Sequence, residues 1–288
     1  MQAHRSQFPV TKMCHILSIS ESGFYKWSNR SPSPRQLENK ELAIRIKELH
    51  EEHNGQAGVP MITADLKSDE RFCHVGHRRV ARIMRENNLR CKYTRQYKTT
   101  TDSRHNEPVT ENLLDRNFHV STPDEIWVGD ITYLKIGSQW YYLSVFIDLF
   151  SRMVVGWDLS NSLERGSTIN ALNKAIMRRK PDSGLMIHSD RGVQYASSEF
   201  RALLRENGFI QSMSRKGNCW DNAVAESFFH TLKNQYLNRV VFRNKEDAGY
   251  GLFKYIEVYY NRRRRHSTNG WKSPVQYETE WYEMKKAA

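Results

Sequence analysis

Apolar residues recur at helical spacing through the N-terminal part of the chain and give way near Ile126 to short runs of β-branched and aromatic residues. Val10, Met13, Ile16 and Leu17 form one stripe, Ser18-Ile19-Ser20 can turn and cap, and Gly23 to Trp27 closes a second short element. Residues 1–35 therefore read as a helix-turn-helix-like segment, an outline that any small helical hairpin shares. The cluster Ser31-Pro32-Ser33-Pro34 ends it. Leu42, Ile46 and Leu49 predict a helix from Leu37 to about His50, and Val80, Ile83 and Met84 predict another from His77 to Asn88. The opposite face of the second carries Arg78, Arg79, Arg82 and Arg85, a pattern equally suited to phosphate and to solvent. Residues 36–100 are thus expected to form a helical, DNA-contacting segment. Residues 101–120, polar and broken by Pro108, are expected to form a linker.

Beyond it the period changes. Ile126 to Leu134, Trp140 to Leu149 and Met153 to Leu159 predict three strands joined closely enough for an antiparallel meander. A helix from about Ser167 to Arg179, a strand at Leu185 to His188, a helix from Ser198 to Asn207 stopped by Gly208, and a short strand to Met213 follow. A last core helix runs from about Asp221 to Leu237. The expected fold is α/β, a mixed five-stranded sheet flanked by helices over residues 121–240, with small all-helical segments before it. Residues 241–288 are a basic, helical C-terminal extension. No internal repeat or low-complexity tract is visible.

Composition adds a sign. Forty-four Lys and Arg against thirty-two Asp and Glu give +12 and suit a polyanionic partner, although basicity alone does not require one. The cysteines, Cys14, Cys73, Cys91 and Cys219, form no CxxC pair, which fits a reducing compartment. Cys73, His74 and His77 lie close in sequence but lack a second ligand pair at zinc-finger spacing. No apolar run approaches a membrane span and no apolar signal core opens the chain, so a soluble, cytoplasmic, nucleoid-associated protein without membrane partners is expected.

Three acids fall where this element order would gather them. Asp130 lies inside the first strand, Asp190 directly follows the fourth, and Glu226 lies on the helix after the fifth. In a sheet of order 3-2-1-4-5 the first and fourth strands are parallel neighbours, so the two aspartates approach side by side and the helix can cover them with Glu226. Taken singly, Asp130 could cap a turn, Asp190 could belong to an ordinary loop and Glu226 could be a surface acid. Gathered, they repel one another and invite hard divalent cations. Two such ions would suit in-line phosphoryl transfer.

Asp190 and Glu226 are separated by thirty-five residues. The strings Trp127-Val-Gly-Asp130-Ile-Thr-Tyr133, His188-Ser-Asp190-Arg-Gly192 and Asn222-Ala-Val-Ala-Glu226-Ser-Phe-Phe, with Tyr259-Tyr-Asn261, His266 and Pro274, resemble the DDE transposases of bacterial insertion sequences. The likeness is to the second-frame product of the "insertion sequence three" family, akin to retroviral integrases. It implies a ribonuclease-H-like core with Asp130, Asp190 and Glu226 as the catalytic and metal-binding triad, two Mg²⁺ ions replaceable by Mn²⁺, and Lys233 as the basic residue seven places after the glutamate. It also implies insertion-sequence ends and target DNA as substrates, cleavage and joining through a circular DNA intermediate, self-association on DNA, and an upstream-frame product as partner or fusion. Related chains carry a tyrosine-glycine-arginine-rich stretch where this one has Asn54-Gly55-Gln56-Ala57-Gly58-Val59. Asn222, one turn before Glu226, and the run Arg262-Arg263-Arg264-Arg265 complete the candidate DNA contacts; the run reads equally as a solvated helix end. Two other readings remain: a ribonuclease-H-like nuclease or resolvase, and a catalytically silent, transposon-derived DNA-binding regulator.

Overall fold

A computed structural model describes residues 1–91, 110–162, 165–215 and 219–287. They form two compact units, Met1–Arg90 and Cys91–Ala288.

In the first unit, α1 (Val10–Ile16) and α2 (Glu21–Ser28) flank a turn in which Ser18 adopts a left-handed φ of 53°. The Ser20 hydroxyl then caps α2 by accepting from the Gly23 N–H at 3.1 Å. Helix α3 (Pro34–Glu52) starts with a reciprocal capping box between Ser33 and Gln36. Its Leu42, Ile46 and Leu49 are buried, as are Ile62 and Leu66 of α4 (Val59–Lys67) and Val80, Ile83 and Met84 of α5 (His77–Glu86). The α4 helix was not foreseen, and the Gly55-Gln56-Ala57 stretch before it is a buried connection. Nor is the arginine face of α5 uniform. Arg78, Arg82 and Arg85 are exposed, whereas Arg79 donates to the Glu38 carboxylate at 2.7 Å and to Asn39 at 2.9 Å, bracing α5 against α3. His74 pairs with the same Glu38, and no group of three metal-ligating side chains is assembled among the described residues.

In the second unit, β1 (Ile126–Ile136), β2 (Gln139–Asp148), β3 (Val154–Ser160), β4 (Met186–Ser189) and β5 (Ile210–Met213) form one sheet of order 3-2-1-4-5, the ribonuclease-H-like arrangement. β1, β2 and β3 are antiparallel, whereas β4 runs parallel to both β1 and β5. Alternation sends β1 residues to two separate cores. Val128, Leu134 and Ile136 pack with Phe228 and Leu232 of α9 (Ala223–Gln235) and with the aromatic C-terminal segments. Trp127 packs with Phe146, with Leu172 of α6 (Arg165–Arg179), and with Phe200 and Leu204 of α8 (Ser198–Glu206). Gly156 is required here, because a Cβ would stand 2.4 Å from the Ala171 carbonyl and push α6 off β3.

The described part of the expected linker, residues 110–120, lacks helix or strand but is anchored. Leu114 is buried in the first core, and the Ser212 hydroxyl accepts from the Leu113 and Leu114 N–H groups at 3.0 and 3.3 Å. Residues 101–109 of the expected linker, and 92–100 of the helical segment before it, lie outside the described residues. C-terminally, α10 (Lys245–Phe253) passes into a π-helical turn at Lys254–Tyr260, and α11 (Pro274–Ala287) closes the chain. No helix among the described residues is long and apolar enough to cross a membrane.

Candidate active site

β4 pairs with β1 only from Ile126↔Met186 to Gly129↔Ser189. The next residue on each strand is the aspartate, so Asp130 and Asp190 stand side by side where the two strands part, on backbones roughly 5 Å apart. A Cβ at Gly129 would meet the Phe146 ring at 2.6 Å, so the residue preceding Asp130 must be small for β1 to lie flat on its neighbour. One oxygen of each carboxylate is fixed locally. Asp130 Oδ1 accepts from the Ile131 N–H at 2.8 Å, and Asp190 Oδ1 from the Gly192 N–H at 2.9 Å, across a short turn that leads into α7 (Val193–Ala196).

Helix α9 delivers the third acid. Asp221 ends the preceding loop as a buried anchor, accepting from Asn112 at 3.0 Å, Arg116 at 2.9 Å and the Arg215 guanidinium at 3.1 Å. Burial opposes its ionisation, but Arg215 and Arg116 hold it well below the usual carboxylate range. Next to it, the buried Asn222 amide donates to the Gly129 carbonyl at 3.3 Å, tying the start of α9 to the strand that carries Asp130. One turn on, Glu226 is exposed and accepts no hydrogen bond among the described residues.

The electrostatics mark the acids as one cluster. Burial first, then Asp190 and more weakly Glu226, push the Asp130 carboxyl well above its ordinary range, with Lys233 pulling the other way. Glu226 is raised by burial as well. The three are drawn together without forming a ready cage, since no three metal-ligating side chains among the described residues are close enough to hold one ion. Their fit to a divalent cation is chemical: hard oxygen donors, mutually repelling, with Glu226 unrestrained at the rim.

The other candidates divide. Lys233 is half-buried, with its Nζ 5.1 Å from the centre of the Tyr133 ring. Arg262 and Arg263 are exposed, whereas Arg264 donates to Gln235 at 3.3 Å and lies over the Tyr260 ring, and Arg265 donates to the Trp271 carbonyl at 2.9 Å. The four-arginine run is therefore two solvent-facing cations followed by two structural ones, and Asn222 is first of all a tether. Sequence reasoning missed Tyr195. It is buried against Phe200, and its hydroxyl has no hydrogen-bond partner among the described residues. Burial, with Asp130 and Asp190 nearby, makes that hydroxyl much harder to ionise. Only its place five residues after Asp190 could have pointed to it.

Family models described as "Integrase core domain" match residues 120–219 and 207–274, and one described as "HTH-like domain" matches residues 36–97. The chain is 38% identical over 272 residues to the uncharacterized 31 kDa protein of insertion element IS600 from Shigella sonnei, covering 94% of this chain and 99% of that one. It is 37% identical over 280 residues to transposase InsF of insertion sequence IS3A from Escherichia coli (strain K12), covering 96% of each. Among solved structures it resembles the HTLV-2 integrase catalytic core domain in complex with magnesium, at 23% identity and a TM-score of 0.43, over 55% of this chain and 97% of that one. A simian T-cell lymphotropic virus intasome chain matches at 21% identity and a TM-score of 0.47, over 75% of this chain and 74% of that one.

Proposed function

Since the chain belongs to the insertion-sequence-three family as a DDE-type transposase with an integrase core, we propose that it cleaves and joins DNA strands at insertion-sequence ends with Asp130, Asp190 and Glu226 as ligands of two Mg²⁺ ions. The observation that carries this reading is the pair Asp130 and Asp190 at the parting of β1 and β4, where Asp190 adds to the cost of ionising Asp130. Bound Mg²⁺, or Mn²⁺ in its place, would activate the attacking hydroxyl and stabilise the departing oxygen. The chain's own groups do the rest. The Ile131 and Gly192 N–H groups hold one oxygen of each aspartate in place, and the Asn222 amide keeps α9 against β1 so that Glu226 approaches from the open side. Lys233, Arg262 and Arg263, together with Arg78, Arg82 and Arg85 of the first unit, present cations to phosphates of the element end and the target. Bringing two element ends to one target calls for more than one copy of the chain, on DNA, with or without the upstream-frame product.

Labelled element ends incubated with Mg²⁺ test the reading. Asp190→Asn is expected to lower cleavage and joining by roughly 10³-fold or more, several kcal/mol of lost transition-state stabilisation, while leaving DNA affinity nearly intact. Turnover near the parent rate would remove Asp190 as a ligand.

A further inference from the structure

Beyond Gly129, β1 has no β4 partner on that edge, and three residues past Asp130 it presents an exposed ring, Tyr133. Trp140 of β2 lies diagonally across the hairpin, 51% exposed, and meets Tyr133 edge to face with ring centres 5.2 Å apart. Lys135, also exposed, stands opposite Trp140 in the register. Lys233 of α9 closes the patch from the other side, over the Tyr133 ring, and its charge is felt at Asp130. Two large aromatic rings left in water between two lysines, in a chain of net charge +12, are poorly explained as hairpin packing alone. The combination of a cation that follows phosphate and a flat apolar face is what unpaired bases bind, whereas bases inside a duplex already stack on one another.

We propose that Tyr133 and Trp140, flanked by Lys135 and Lys233, form a stacking platform for an unpaired nucleotide beside the strand being processed. The platform rests on the reading of Asp130, Asp190 and Glu226 as the cleavage site. Tyr133 stands about 10 Å along the strand from Asp130, at roughly 3.3 Å per residue. It therefore favours DNA ends that fray, and rewards opening of the duplex next to the scissile phosphate.

The test needs neither metal nor cleavage, so its outcome is separate from that of the Asp190→Asn experiment. Full-length protein in EDTA is titrated, by fluorescence anisotropy, with a blunt duplex and with the same duplex carrying a short unpaired tail that contains 2-aminopurine. The tail is expected to bind with quenched 2-aminopurine fluorescence. Trp140→Leu should weaken the tailed duplex roughly 5- to 150-fold, the equivalent of about 1–3 kcal/mol, and leave the blunt one unchanged. Trp140→Phe, which keeps a ring, should restore most of the affinity. Equal loss on both duplexes in a variant with a parent-like thermal melt would overturn the platform. So would unquenched 2-aminopurine in the parent complex, a measurement that stands even if the leucine variant does not fold.

Discussion

Two clusters of acids in the second unit are balanced in different ways. Asp124 and Glu278 share the guanidinium of Arg179, which donates to the first at 2.9 Å and to the second at 2.7 Å, joining the loop before β1, α6 and α11. Burial alone would make that guanidinium easier to deprotonate, yet its hydrogen bonds to the two acids carry it above its ordinary range. Asp130 is raised by Asp190 and Glu226, with Lys233 pulling the other way. One cluster carries its counter-ion in Arg179 and serves as a structural joint; the other is, in the function proposed above, the place for a cation from solution. Nearby backbone N–H groups and the strand register fix where the two aspartates of the second sit.

The largest effect expected from breaking this contrast is on the joint. Arg179→Met leaves two nearly buried acids facing an apolar side chain and should cost about 3–5 kcal/mol in urea unfolding. A loss below about 1 kcal/mol, the range of an exposed pair, would mean that Arg179 is not what holds α11. Next in size is metal protection of the other cluster. Mg²⁺ at 100 times its dissociation constant should raise parent stability by about 2.7 kcal/mol, and thermal melts of Asp130→Asn should not respond. Equal protection in that variant would place the binding elsewhere.

The smallest effect concerns Asp148, a buried acid packed beside the Arg179 joint. Burial pushes its carboxyl up to about 7, with Glu278 adding to the rise, although the Ser151 N–H and hydroxyl and the Asp124 N–H all favour the charged form. The folded state therefore binds the extra proton between about 4 and 7, so this group's contribution to stability is complete below its unfolded value of 3.8 and is lost as pH rises through about 7. Between pH 6 and 8 the parent should lose about 1.4 kcal/mol that Asp148→Asn does not, as read from paired urea melts. Identical slopes would show that the three donors outweigh burial.

Much of this was legible in the chain, and the exceptions share a cause. The sheet order followed from a meander and two crossover helices, and the aspartate pair followed from the ends of its strands. Helix α4 carries Pro60 at its second position, where the missing N–H would have no intrahelical partner anyway, so the proline does not break it. The anchored course of residues 110–118 rests on the Ser212 hydroxyl, a partner some hundred residues away that no local pattern announces. Arg262 and Arg264 are the same letter, and only the nearness of Gln235 and Tyr260 separates them. The helix expected from Asp221 to Leu237 begins instead with a 3-10 turn at Cys219–Asn222, because the Asp221 carboxylate is spent on arginines rather than on capping.

One side chain outside both clusters bears on how the chain could be shortened. Asn261, just past the π-helical turn, accepts from the Val154 N–H and donates to the Val154 carbonyl, each at 3.0 Å. A carboxamide thus copies a peptide unit and pairs with the outer edge of β3 as a missing sixth strand would. Cutting the chain before this point to obtain a smaller enzyme would expose an unpaired strand border with Val154 and Val155 beside it, the sort of edge on which proteins add copies of themselves. What looks like a trailing extension also acts as a selvedge, finishing the cloth so that it does not stick to its neighbour.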